Sequence, residues 1–180
     1  IEYLIYPSFD RQVLGEDDRT VTVREGNGVV YRYSKTGSTI PEQVECPVTD
    51  RASWDRLKAE RLQPDPGRLA GVKWDEVRSK MAQEGLVVQM GNYPFGVFGT
   101  PRELMGVEQT LVAFYDDPDM MHDMMEHLTT LWIWVYEQAA KEVQIEHIHI
   151  WEDMSGRQGS LISPAMIEEF MMPCYDRIAD

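Results

Sequence analysis

Six residues carry groups suited to holding a small molecule. Asp153 follows the apolar run Ile145 to Trp151 and precedes Ser155 and Gly156. A carboxylate there can accept substrate N–H groups or take part in proton transfer, and it would sit at the strand edge where α/β folds place ligands. The same residue could instead hold its own loop. Glu152 adjoins it but points the other way if the strand pleat persists, which makes it either a second acidic wall or a salt-bridge residue. Arg102 and Arg157 each bring a planar guanidinium that can grip a carboxylate with two parallel bonds, or pair with one of the many acids of the chain. Asn92 and Tyr93, in the glycine-rich stretch GNYPFGVFGTPREL, offer hydrogen-bonding groups beside an apolar cavity, or bond to their own loop backbone.

Other combinations point less directly to chemistry. His147 and His149 fall on one side of a strand, a spacing compatible with a metal, although a third ligand must come from elsewhere. His122 and His127 are five apart on a helix, unlike a helical zinc pair, and read as packing or surface residues. The glycines at 91, 96 and 99 match neither a phosphate loop nor a dinucleotide fingerprint. No residue is assigned as a catalyst on these grounds, and no metal site is expected.

The elements that must position these groups follow from periodicity. Asp117 can cap a helix that Pro118 opens, and Met121, Met125, Leu128, Trp132, Val135 and Ala139 place one apolar stripe along it to about Val143. Ile145 to Trp151 is too short for a further helix and reads as a buried strand. Pro164 then opens another helical pattern. Upstream, Thr20 to Arg24 and Val29 to Tyr33 flank Gly26-Asn27-Gly28 as a β-hairpin, able to cap a pocket or simply to decorate the surface. Thr49 or Asp50 can cap a helix through Lys58, and a second helix covers Val72 to Met81 with Gly85 as its terminator. Leu86 to Met90 reads as another buried strand, followed by one broken helix or two short ones over Arg102 to Tyr115. This order predicts one α/β domain over residues 1–180, with parallel strands joined by right-handed crossovers.

Composition narrows the function classes. With 31 acidic and 17 basic residues the formal charge is -14, which disfavours nucleic acid and anionic membrane as partners. An apolar fraction of 43% is enough for a core. Cys46 and Cys174 alone do not make a disulfide framework, and no apolar run is long enough to span a bilayer, so a cytoplasmic protein with reduced thiols is expected. The start at Ile1 and the end at Asp180, inside a helical pattern, suggest a piece of a longer chain.

Four segments resemble the uroporphyrinogen decarboxylase superfamily, in particular its decarboxylase-like branch related to corrinoid methyltransferases. They are FGTPRELM at 98–105, DDPDMMHDMMEHLT at 116–129, IWEDMSG at 150–156 and LISPAMIEEFMMPCYDRI at 161–178. The resemblance implies a (β/α)8 barrel, of which this chain would be a partial one with the 20–34 hairpin as an addition. It implies a tetrapyrrole or related carboxylated substrate and loss of carbon dioxide without a cofactor. Two departures stand out. Asp153 occupies a position where the decarboxylases often carry a small hydroxyl residue, and Val107 falls near the place of their substrate-contacting tyrosine. The alternative within the same resemblance is a cobamide methyltransferase that uses zinc and a corrinoid. A third reading is a non-catalytic partial barrel that pairs with a complementary half or as a homodimer.

Overall fold

The computed structural model describes residues 1–37, 40–91 and 95–180. Asn92 and Tyr93, two of the six candidate residues, lie outside them. Around Gly28, whose φ is +85°, strands β2 (Thr20–Arg24) and β3 (Val30–Ser34) pair antiparallel as the hairpin pattern requires. Gly28 is needed for a second reason: a Cβ there would lie 2.7 Å from the Phe9 ring. The hairpin is not an isolated ribbon. Strand β1 (Gln12–Glu16) pairs with β2, and β4 (Glu42–Glu45) with β3, giving a four-stranded antiparallel sheet in sequence order.

Helix α1 (Arg51–Arg61) begins at a capping box: Asp50 accepts the Ser53 N–H at 2.8 Å, and the Ser53 hydroxyl accepts the Asp50 N–H at 3.0 Å. A 3-10 turn (Pro66–Leu69) and α2 (Trp74–Glu84) follow, and α2 stops at Gly85, with φ +64°. Arg68 in that turn is buried, and its guanidinium donates to the carbonyls of Glu2, Leu4, Arg61 and Gln63 at 2.8 to 3.0 Å. Those four bonds tie the first residues of the chain to the end of α1.

Gly106, with φ +84°, splits the next helical stretch into α3 (Gly99–Met105) and α4 (Val107–Asp116). Asp117 then accepts the Met120 N–H and starts α5 (Pro118–Ala140), the longest helix. Its stripe from Met121 to Ala139 is buried as the three- and four-residue spacing requires. Trp132 meets Phe95 edge to face at 4.2 Å between ring centroids. On its other side Asp123 accepts both the Trp54 indole N–H and the Lys58 ammonium at 2.6 Å, joining α5 to α1. His127, one turn along, donates from Nε2 to the Leu62 carbonyl at 2.8 Å.

Burial holds the His127 imidazole below its ordinary value, against the pull of that carbonyl, and Lys58 adds to the depression. The unfolded chain therefore binds the proton first. The stability that neutral His127 contributes is complete above about pH 6.5 and is lost as pH falls from there through the lower folded value. Urea midpoints of wild type and His127→Gln measured from pH 7.5 to 5.5 are expected to converge as pH falls, because glutamine keeps a donor without titrating.

The expected partial barrel is overturned. Among the described residues the strands form the four-stranded antiparallel sheet, a parallel pair and a two-residue hairpin, with no cylinder of parallel strands. The parallel pair, β5 (Gln89–Met90) and β6 (His147–Ile148), connects through α3, α4 and α5. Both predicted strands are much shorter than their apolar runs. Gly91, with φ +80°, turns the chain so tightly across its neighbour that a Cβ would stand 2.1 Å from the His149 carbonyl oxygen, and the ladder ends there. Nor are the two runs fully buried: Leu86 is 49% and Val87 67% exposed, because their sheet has only two strands and leaves its outer edges uncovered. Beyond β6 lie the small hairpin β7 (Ser155–Gly156) and β8 (Gly159–Ser160). The helical run that Ser163 caps then comprises α6 (Pro164–Met166), a π turn (Ile167–Met171) and α7 (Met172–Ala179). No helix among the described residues is long and apolar enough to cross a membrane.

Candidate functional site

Past β6 the chain stays extended and runs alongside the segment 95–99. Trp151 donates its N–H to the Phe95 carbonyl at 2.7 Å. Gly96 and Gly99 make this approach feasible, since a Cβ would lie 1.8 Å and 2.8 Å respectively from the Trp151 carbonyl oxygen. With no side chain between them, Glu152 and Asp153 are brought to the start of α3 and take opposite roles, as the pleat predicts.

Glu152 turns inward. Its carboxylate accepts the backbone N–H groups of Val97 at 2.6 Å, Phe98 at 3.0 Å and Gly99 at 2.9 Å, together with the Tyr175 hydroxyl at 2.7 Å. It thus meets the donors that the first turn of α3 leaves without intrahelical partners. Burial pushes the Glu152 carboxyl above its usual range, opposed by the Tyr175 hydroxyl and the three N–H groups. Glu152 lies behind the cleft wall and holds the loop that carries Arg102.

Asp153 turns outward and accepts from Arg102 Nη1 at 2.6 Å. The two residues, 51 positions apart, line one wall of a cleft of about 620 Å³ between the antiparallel sheet on one side and α3 with the 151–153 segment on the other. The opposite wall comes from the hairpin, which therefore caps a cavity rather than decorating a surface. Tyr31 and Tyr33 alternate onto the same face of β3, their ring centroids 5.9 Å apart. Tyr31 donates its hydroxyl to Glu103, and Asn27 Nδ2 donates to the same carboxylate oxygen at 2.9 Å. Tyr33 donates to Glu25 at 3.1 Å, and Arg11 closes that group with a 3.1 Å ion pair to Glu25. Gln43 of β4 donates to the Glu103 carbonyl at 3.2 Å, and the Val48 N–H to that of Leu104 at 3.1 Å. These bonds dock the sheet on α3.

Sequence reasoning missed Glu103, Asn27, Glu25 and the two tyrosines. The alternation of Tyr31 and Tyr33 signals a shared face, but nothing in the local pattern ties that face to Arg102. Arg157 is exposed in the turn between β7 and β8 and does not line the cleft.

The histidines do not assemble a metal centre, and among the described residues no three His, Cys, Asp or Glu side chains converge to hold an ion. His147 is exposed on β6, and His122 stacks on Phe170 with centroids 4.1 Å apart. Cys46, beside Gly106, and Cys174, on α7, lie on separate elements. Burial pushes the Cys46 thiol up to about 11 and raises that of Cys174 as well, so neither is poised to be a thiolate ligand near neutral pH.

The cleft wall combines the partly exposed Arg102–Asp153 pair, able to address a carboxylate and an N–H donor, with the aromatic side chains of Tyr31, Tyr33 and Trp151 for a planar body. Comparison with known protein families, curated proteins and solved structures finds no match for this chain.

Proposed function

We propose that this is a uroporphyrinogen decarboxylase-like protein whose cleft takes a carboxylated substrate, either part of a tetrapyrrole or a smaller relative. The observation that carries the reading is the Arg102–Asp153 pair at the wall of the cleft. Arg102 supplies the planar donor set that matches a carboxylate, and Asp153 the acceptor for a ring N–H. Both side chains remain partly exposed, at 29% and 46%, so a ligand can reach them from solvent. A cleft of about 620 Å³ falls within the size range of small-molecule sites and accommodates a pyrrole ring with its acidic arms. If the protein is catalytic, the reaction is a cofactor-free carboxy-lyase step. Protonation of the ring makes it an electron sink, the carbon–carboxylate bond breaks with release of carbon dioxide, and an Asp stabilises the cationic ring.

Titration with a porphyrin tetracarboxylate, followed by absorbance, tests the binding half. Arg102→Gln is expected to weaken binding by tenfold or more, with a smaller effect for Asp153→Asn. Unchanged affinity in Arg102→Gln would remove this reading. Carbon dioxide release from uroporphyrinogen by the wild type tests the catalytic half.

A further inference from the structure

A free strand edge presents unpaired N–H and C=O groups to any other strand, and folds commonly blunt it with a bulge, a charge or a proline. Both edges of the four-stranded sheet are interrupted in this way. The register of β1 slips between Val13 and Gly15, and on β4 Glu45 and Gln43 oppose the consecutive residues Val30 and Tyr31, which leaves Val44 as an extra residue. The edge of β5 carries no such device. Its register with β6 is regular over Gln89 and Met90, and residues 86–91, LVVQMG, include neither a charge nor a proline.

The parallel ladder fixes which groups of β5 face outward. The Val88 carbonyl accepts the His147 N–H at 3.3 Å and the Met90 carbonyl the His149 N–H at 2.8 Å, so Val88 and Met90 turn their backbone groups toward β6. Alternation turns those of Gln89, and of Val87 before it, to the opposite side, where no described residue pairs with them. The Gly91 N–H, next to face that way, is taken by the Tyr3 hydroxyl at 3.3 Å, which closes the far end of the edge. Val87 and Gln89 are both exposed to solvent, Val87 at 67%.

We propose that this edge pairs with the same edge of a second copy of the chain, antiparallel about a two-fold axis at Val88. Gln89 of one copy then lies opposite Val87 of the other, each such pair exchanges both of its N–H···O=C bonds, and the sheet becomes β6-β5-β5-β6. One edge thereby supplies every donor and acceptor that its copy requires, as a closed two-fold contact demands. Charge favours the same occupant. With a formal charge of -14 the chain repels its copy over most of its surface, whereas at 86–91 two copies meet without opposing carboxylates. The same neutral stretch offers nothing to select a basic or an acidic partner. So short a contact buries little area, and the dimer is therefore weak and forms by mass action. It is independent of the cleft and of the ligand bound there.

Sedimentation velocity over a concentration series, with amide exchange on the same samples, tests the pairing. The wild type is expected to shift from one chain to two as concentration rises. Over the same range protection of the Gln89 amide should rise roughly tenfold or more, while that of Met90, which faces β6 in both states, stays constant. Gln89→Pro deletes an outward-facing donor and leaves the groups that face β6 in place, so it is expected to remain a single chain where the wild type pairs. Should that variant fail to fold, the exchange of Gln89 in the wild type decides alone. A protein that stays a single chain throughout overturns the inference. A dimer in which the Gln89 amide exchanges freely, or one that a folded Gln89→Pro variant still forms unchanged, overturns it equally, because the contact then lies elsewhere.

Discussion

Replacing Glu152 with alanine is expected to destabilise the protein by roughly 3 kcal/mol or more, since each buried donor left unsatisfied costs about 1–3 kcal/mol. Three backbone N–H groups and the Tyr175 hydroxyl converge on this one carboxylate, and alanine leaves them without it. Denaturant unfolding measures the loss, and an unchanged midpoint would contradict the capping role. Glu152→Gln separates hydrogen bonding from charge. Its amide oxygen still accepts from some of the donors, so its cost should be clearly smaller. The pH dependence gives an independent check. Because the folded carboxyl titrates above its unfolded value, the folded chain holds the proton longer, and wild-type stability falls as pH rises from about 4.5 through the folded value. Glu152→Gln should lack that decline.

The consequence extends to the cleft. Glu152 fixes the start of α3, Arg102 lies on the first turns of that helix, and Asp153 is the next residue along from Glu152. Loosening the cap therefore displaces both members of the Arg102–Asp153 pair at the cleft wall. In Glu152→Gln the thermal midpoint should change less than the affinity for a carboxylate probe, if the cap sets the geometry of Arg102 and Asp153.

Gly96→Ala should be as damaging through a different cause. The added Cβ would stand 1.8 Å from the Trp151 carbonyl oxygen, far inside contact distance, and the obstacle is backbone rather than a side chain that can swing away. Either the 95–99 segment or the 150–153 segment must retreat, breaking the 2.7 Å bond from the Trp151 N–H to the Phe95 carbonyl. The cost is expected to be about 3 kcal/mol or more, at or beyond the upper end of overpacking penalties. Amide exchange at Trp151 provides the local readout, with protection falling by more than global stability alone requires. Wild-type protection at that amide in Gly96→Ala would show that the two segments are not held this closely. Gly71, with nothing within 4 Å of its Cβ position, serves as the control substitution.

Much of the local structure was legible in the sequence because it depends on neighbours a few residues apart. Asp50, Asp117 and Gly85 cap and stop helices as their types require. The stripe along α5 is buried, and the Gly-Asn-Gly turn joins two antiparallel strands. The parallel relation of the two apolar runs also held. Their length did not, because an apolar run of five to seven residues reports hydrophobicity rather than how far two backbones remain in register. Gly91 ends that register, and its role becomes visible only when His149 is found against it. The barrel expectation failed for a related reason. One strand–helix–strand unit has the same local signature whether it repeats around a cylinder or stands beside an antiparallel sheet.

The candidate site divides along the same line. By themselves, the residues determined which groups were chemically able to meet a ligand, and among these Asp153 and Arg102 do line a common cleft. Tertiary structure alone decided that Asp153 faces Arg102 while Glu152 turns behind it onto the N–H groups of α3, and that Arg157 stands apart from both. It also brought Asn27 and Tyr31 onto Glu103, across separations of 76 and 72 residues. Helix caps and turns are short-range and can be read from a few adjacent residues. A cleft assembled from β3, α3 and the strand after α5 depends on contacts that no local pattern encodes.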